Sequence, residues 1–131
     1  MNLSVNACKA TGISLRRDIL AMEDAGAIRT MIFSDFGIVS TSVNNASSLT
    51  KLLLNHLSED SPDIIVIELG DGLMGSYGVE SILKDRAIKD ILSSVILCAN
   101  DPVAAWGGTK LLRERYNIEP SLITGPATDN T

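Results

Sequence analysis

The chain has 131 residues, 45% of them apolar and 21% charged, a composition that folds as globular protein rather than remaining disordered. Its net charge of −5 and pI near 4.7 argue against a duplex-binding surface, and 4% aromatic residues leave little for stacking single-stranded bases. No apolar run approaches the length of a membrane span or of a signal peptide, so no membrane or nucleic-acid partner is expected, and the expected location is the cytoplasm.

In chain order, the first apolar run, Leu3–Cys8, predicts a strand that leads to Lys9, Thr11 and Gly12. Ser14 then stands where a helix cap would, ahead of Leu15, Ile19 and Met22 on one helical face. Ile28–Phe33 predicts a second strand, which leads to Ser34 and Asp35. Asn45–Leu57 predicts a second helix with Leu49, Leu52, Leu53 and Leu57 inward and His56, the sole histidine, at its border. The third strand, Asp63–Leu69, is a continuous apolar run rather than an alternating one. That is the mark of a central strand covered on both faces. Glu68 near its end needs a partner if buried.

Val79–Leu83 and Ala87–Leu92 read as a short or broken third helix, and Ser94–Ala99 as a fourth strand ending in Asn100 and Asp101. Pro102 suits the first turn of a helix that runs to about Tyr116. Gly107 and Gly108, inside this helix, are expected to allow close packing or to distort it. Ser121–Thr124 is a fifth strand, followed by Gly125, Thr128, Asp129 and Asn130. Alternating strands and helices predict a three-layer α/β fold. It has a mostly parallel five-stranded sheet with helices on both faces, in one domain over 1–131. Cys8 and Cys98 end apolar runs and are expected as buried free thiols. With no Cys-x-x-Cys and one histidine, a His/Cys metal site is not expected.

Polar, acidic or Gly-bearing residues follow all five strands, and ligands of open parallel sheets bind at the carboxyl ends of strands. The third such end, "ELGDGLMGSYG", contains Gly70-x-Gly72-x-x-Gly75, the spacing of a dinucleotide turn. Glu68 and Asp71, however, would repel a pyrophosphate unless a cation lay between. An NAD(P) site, with Asp101 toward the ribose, is therefore one alternative. The preferred reading is that Glu68 and Asp71 hold Mg²⁺, in the manner of a strand ending in an acid, because Mg²⁺ takes one or two carboxylates and completes its shell with water and substrate phosphate. A third reading has Glu68 capping a neighbouring helix and the glycines merely turning the chain. No Gly-x-x-x-x-Gly-Lys-Ser/Thr occurs in the chain.

"NACKATG" followed by a helix bearing Asp18, together with "DIIVIELGDGLMGSYG", resembles segments of dethiobiotin synthetase-like P-loop proteins over about residues 3–101. "VILCANDPVAAWGG" and "LITGPATDN" look like later strand ends of relatives. The resemblance implies a P-loop NTPase-like fold and an ATP- and Mg²⁺-dependent enzyme acting on a small carboxylate-type substrate. It also implies that Lys9 touches phosphate or substrate and that Glu68 helps to hold Mg²⁺. Asp18 joins Glu68 and Asp71 as a metal candidate. Thr11, Gly12, Gly70, Gly72, Asn100 and Asp101 are the candidates for contact with the cofactor. The alternative for Lys9 is an exposed strand-end lysine. The first strand, phosphate loop and following helix of the family pattern are not found, so a piece of a longer protein is expected, one that is marginally stable by itself or covers its open flank by self-association. A non-catalytic interaction domain is the remaining alternative.

Overall fold

The structure is a computed structural model that describes residues 2–129; Asn130 lies outside the described residues. Residues up to Asp85 form one compact unit and those from Arg86 on form a second, each with its own parallel sheet.

In the first unit, β1 (Val5–Thr11) lies between β2 (Arg29–Ile32) and β3 (Ile64–Leu69), parallel to both. Helix α1 (Arg16–Asp24) crosses between β1 and β2 along the chain, and α2 (Ala46–Ser58) between β2 and β3. Cys8 and Ala10 of β1 meet Leu53 and Leu57 of α2 in a closed cluster, with Met31, Phe36, Ile65, Ile67 and Leu69 packed around it. The short helix α3 (Val79–Lys84) closes this unit and buries Val79, Ile82 and Leu83.

A single five-stranded sheet is corrected to two sheets, of three strands in the order β2-β1-β3 and of two strands in the second unit. Hydrophobic periodicity marks strands and their parallel sense, but carries no signal for which strand pairs with which. The central position is corrected as well. The apolar run at 64–69 is an edge strand that turns Ile65, Ile67 and Leu69 toward the α2 core and leaves Ile64, Val66 and Glu68 exposed. The central strand is β1, almost wholly buried although it carries Asn6, Lys9 and Thr11. Those polar groups are tolerated because each is bonded. The Asn6 amide donates to the Leu57 carbonyl at 2.9 Å, the Thr11 hydroxyl donates to the Gly70 carbonyl at 2.9 Å, and the Lys9 ammonium donates to Asp18.

Two helix details also change. The residue preceding α1 is Leu15, extended and without a side-chain cap; the Ser14 hydroxyl instead donates to Ser34 Oγ at 2.7 Å. In α2 the inward stripe is Ala46, Thr50, Leu53, Leu54 and Leu57, spaced by three or four, whereas Leu52 is exposed and Leu49 half-buried. Thr50 is buried at no polar cost because its hydroxyl donates to the Ala46 carbonyl. The His56 imidazole lies beside the Phe36 ring, with Nδ1 3.1 Å from Glu59 Oε1, at the border of the core.

The second unit holds α4 (Arg86–Lys89), β4 (Ile96–Cys98), α5 (Pro102–Tyr116) and β5 (Leu122–Thr124). Helix α3 and helix α4 are separate elements, in keeping with a broken third helix. Strands β4 and β5 pair in parallel register, Leu97 opposite Ile123. β4 buries Leu97 and turns Ile96 and Cys98 outward, so a buried Cys98 thiol is corrected to an exposed one. Helix α5 runs unbroken through Gly107 and Gly108, and a Cβ at Gly107 would meet nothing within 4 Å, so that glycine is not a close-packing site. Among the described residues no helix is long and apolar enough to cross a membrane.

Candidate functional site

Parallel pairing of β1 and β3 sets Lys9 directly opposite Glu68, and the register slips between Lys9 and Thr11 where both strands give way to glycine turns. Lys9 is 6% exposed, which corrects the alternative of an exposed strand-end lysine. Its ammonium is paired with Asp18, which stands in the first turn of α1, where an acid also suits the helix dipole. Asp18 is shared with Arg17, whose Nε lies 3.7 Å from the other carboxylate oxygen.

The end of the Lys9 side chain lies close to two glycines. Its Cε lies 3.4 Å from the place a Cβ would take at Gly12, and 3.4 Å from the same place at Gly70. Beside Gly12 stands the Asp71 carboxylate, with Oδ2 only 2.1 Å from that point; beside Gly70 stands Glu68, with Oε1 3.6 Å away. Any side chain at Gly12 would therefore displace Asp71. Gly12 has φ +109°, Asp71 φ +68° and Gly72 φ +81°, so the two turns are built from left-handed backbone. Asp is one of the few residues besides Gly that tolerates this region.

Electrostatically, one ammonium faces three carboxylates. Glu68 is exposed on its strand, yet partial desolvation of its carboxyl pushes it above its usual range; Lys9 draws it back, while Asp18 and Asp71 add to the upward shift. Burial, with the Glu68 charge behind it, pushes the Cys8 thiol up to about 12, so Cys8 is an inert core group. The Lys9 ammonium is satisfied by Asp18. The Glu68 and Asp71 carboxylates, in contrast, accept no hydrogen bond and make no ion pair with the described residues. Glu68 thus caps no helix. No three His, Cys, Asp or Glu side chains among the described residues converge on one metal position, so Asp18, Glu68 and Asp71 do not form a ready-made cage.

The remaining candidates separate. Thr11, Gly12, Gly70 and Gly72 border the Lys9 end in the first unit, with the Thr11 hydroxyl already committed to Gly70. Asn100 and Asp101 belong to the second unit. There Asp101 is the N-cap of α5, accepting from the Ala104 amide at 2.8 Å, and Pro102 fills the first turn. For a dinucleotide, the glycines would need to open a helix directly. Here several residues separate Gly72 from α3, which is six residues long and preceded by Gly78.

Sequence reading missed Thr41, which lies in the stretch between the second predicted strand and the second predicted helix, with no periodicity of its own. It is 4% exposed, accepts from the Gly12 amide at 2.9 Å and donates to the Tyr77 carbonyl at 2.8 Å. Comparison with protein-family models, curated proteins and solved structures gives no significant match.

Proposed function

We propose that the first compact unit carries the magnesium site of an ATP-dependent, P-loop NTPase-like enzyme that acts on a small carboxylate-type substrate. The observation that carries this reading is the pair of unpartnered carboxylates, Glu68 and Asp71, gathered with a buried, already neutralised lysine at the Gly12 and Gly70 turns. Lys9 and Asp18 cancel one another, which leaves two negative charges at the strand ends. Those are hard oxygen donors of the number Mg²⁺ takes from protein when water and phosphate supply the rest. Bound Mg²⁺ would supply charge neutralisation for phosphate oxygens. Glu68 and Asp71 would hold it. Lys9, fixed at the floor of the site by Asp18, would meet the anionic part of the ligand.

Calorimetric titration of the chain with Mg²⁺, and with ATP in the presence of Mg²⁺, tests this. Wild type is expected to bind Mg²⁺, and Glu68→Gln and Asp71→Asn are each expected to weaken it by a factor on the order of 10 or more, as loss of a charged ligand should. Absence of Mg²⁺ binding by wild type overturns the reading. A second reading, a non-catalytic interaction domain, draws on the inward bonding of Lys9, Thr11 and Thr41. It is favoured if Glu68→Gln and Asp71→Asn leave every binding property of the chain unchanged.

A further inference from the structure

We infer that Thr41 is the positioning residue of this site, a hydroxyl clamp that holds the Gly12 turn and the far end of the glycine loop at one spacing. The inference rests on the proposed magnesium site and names what keeps that site assembled.

Three loops meet at Thr41. Its amide donates to the Gly12 carbonyl at 3.1 Å, and its hydroxyl accepts from the Gly12 amide at 2.9 Å. The same hydroxyl donates its proton to the Tyr77 carbonyl at 2.8 Å. Both polar groups of Gly12 are thus held by one residue, and the hydroxyl has its donor and acceptor roles both used. Ser14, whose amide donates to the Val39 carbonyl, and Ile13, bridged to Ser40, extend this contact into a short antiparallel seam.

The seam bears on the site because Gly12 is the surface against which Asp71 lies, its Oδ2 2.1 Å from where a Cβ would stand. The loop that carries Asp71 is pinned to its surroundings at two points. Thr11 holds its start through the Gly70 carbonyl, and Thr41 holds its end through the Tyr77 carbonyl. Next to that end, Gly78 has φ +90° and would clash with the Ser42 carbonyl, 2.4 Å away, if it carried a Cβ. Removing the Thr41 hydroxyl leaves the Gly12 amide and the Tyr77 carbonyl without these partners, and an unpaired buried group is relieved by movement of the segment that carries it. Movement of either turn shifts Asp71 relative to Lys9 and Glu68.

The test compares Thr41→Val, which keeps the shape and loses the hydroxyl, with Thr41→Ser, which keeps the hydroxyl, in the full chain. Mg²⁺ titration, melting and amide hydrogen exchange are measured on each. Thr41→Val is expected to weaken Mg²⁺ binding roughly 10–100-fold, the usual cost of losing a group that orients a metal ligand. It is also expected to lose protection at the Gly12 amide, while the β2-β1-β3 amides stay protected. Thr41→Ser is expected to restore both. Wild-type Mg²⁺ affinity in Thr41→Val, or failure of serine to restore it, overturns the inference. If Thr41→Val does not fold, Thr41→Cys, with a weak donor in similar volume, replaces it, and wild-type affinity there has the same force. If wild type itself binds no Mg²⁺, the proposed function fails separately, and exchange then decides for Thr41. Unchanged protection at Gly12 in Thr41→Val overturns the clamp.

Discussion

At the residue scale, Glu68 trades stability for a potential ligand. Its carboxyl titrates above the usual carboxylate range in the folded chain, chiefly through desolvation. The unfolded chain therefore releases this proton first as pH rises. Stability is full below the ordinary glutamate range, falls through the window up to the raised folded value, and stays lowered at neutral pH. Glu68→Gln removes that loss. It is expected to melt higher than wild type at pH 7 and to match it near pH 4, as thermal unfolding across pH will show. Mg²⁺ affinity of wild type should rise with pH through the same window, because the metal binds the ionised form; a pH-independent affinity would remove Glu68 from the ligand set. The acids themselves were legible in the sequence, since an acid ending an apolar strand is unusual. Thr41 was not, because a buried hydroxyl in a loop has no periodic signature.

At the element scale, order, type and parallel sense of the strands followed from apolar runs separated by helical patterns. The place of each strand did not. An unbroken apolar run such as Ile64–Leu69 fits a central strand or an edge strand with one exposed apolar face equally well, and Val5–Thr11 concealed its central place behind polar residues that are all bonded. Helix phase was misread by a residue or so in α2 for a similar reason: consecutive leucines at 52–54 let the stripe be drawn in more than one way. Glycines sort by what surrounds them. Gly26 (φ +100°) has open space where a Cβ would stand, whereas Gly78 (φ +90°) has the Ser42 carbonyl at 2.4 Å and the Ala46 Cβ at 2.6 Å. Gly26→Ala is expected to cost only the left-handed penalty, about 1–2 kcal/mol. Gly78→Ala carries the same penalty plus a backbone clash that must push the glycine loop from α2. Denaturant unfolding should show the larger loss at Gly78, and equal losses would mean that the loop yields freely.

At the scale of the whole molecule, every residue of the proposed magnesium site and its clamp lies before Asp85. Lys9, Thr11, Gly12 and Asp18 come from β1, the turn after it and α1, Thr41 from the segment before α2, and Glu68, Gly70 and Asp71 from β3 and its loop. That unit has its own three-stranded parallel sheet and its own closed cluster around Cys8, Ala10, Leu53 and Leu57. Asn100 and Asp101, grouped with the site by their place after a strand, belong to the other unit, where Asp101 serves α5 as its cap. Position after a strand was a sound guide to where polar residues gather, but it cannot tell a ligand from a cap. The two roles make opposite demands. Asp101→Ala in the full chain is expected to cost about 1 kcal/mol of stability, the usual worth of an N-cap, and to leave Mg²⁺ affinity unchanged. A chain ending at Asp85 is small enough for its core to be marginal, yet it retains every group that the site uses. It is expected to unfold cooperatively and to bind Mg²⁺ as the full chain does, with the same dependence on Glu68 and Thr41. Circular dichroism and calorimetry on that chain decide the matter. A folded 1–85 chain without Mg²⁺ affinity, beside a full chain that has it, would overturn the placement of the whole site before Asp85.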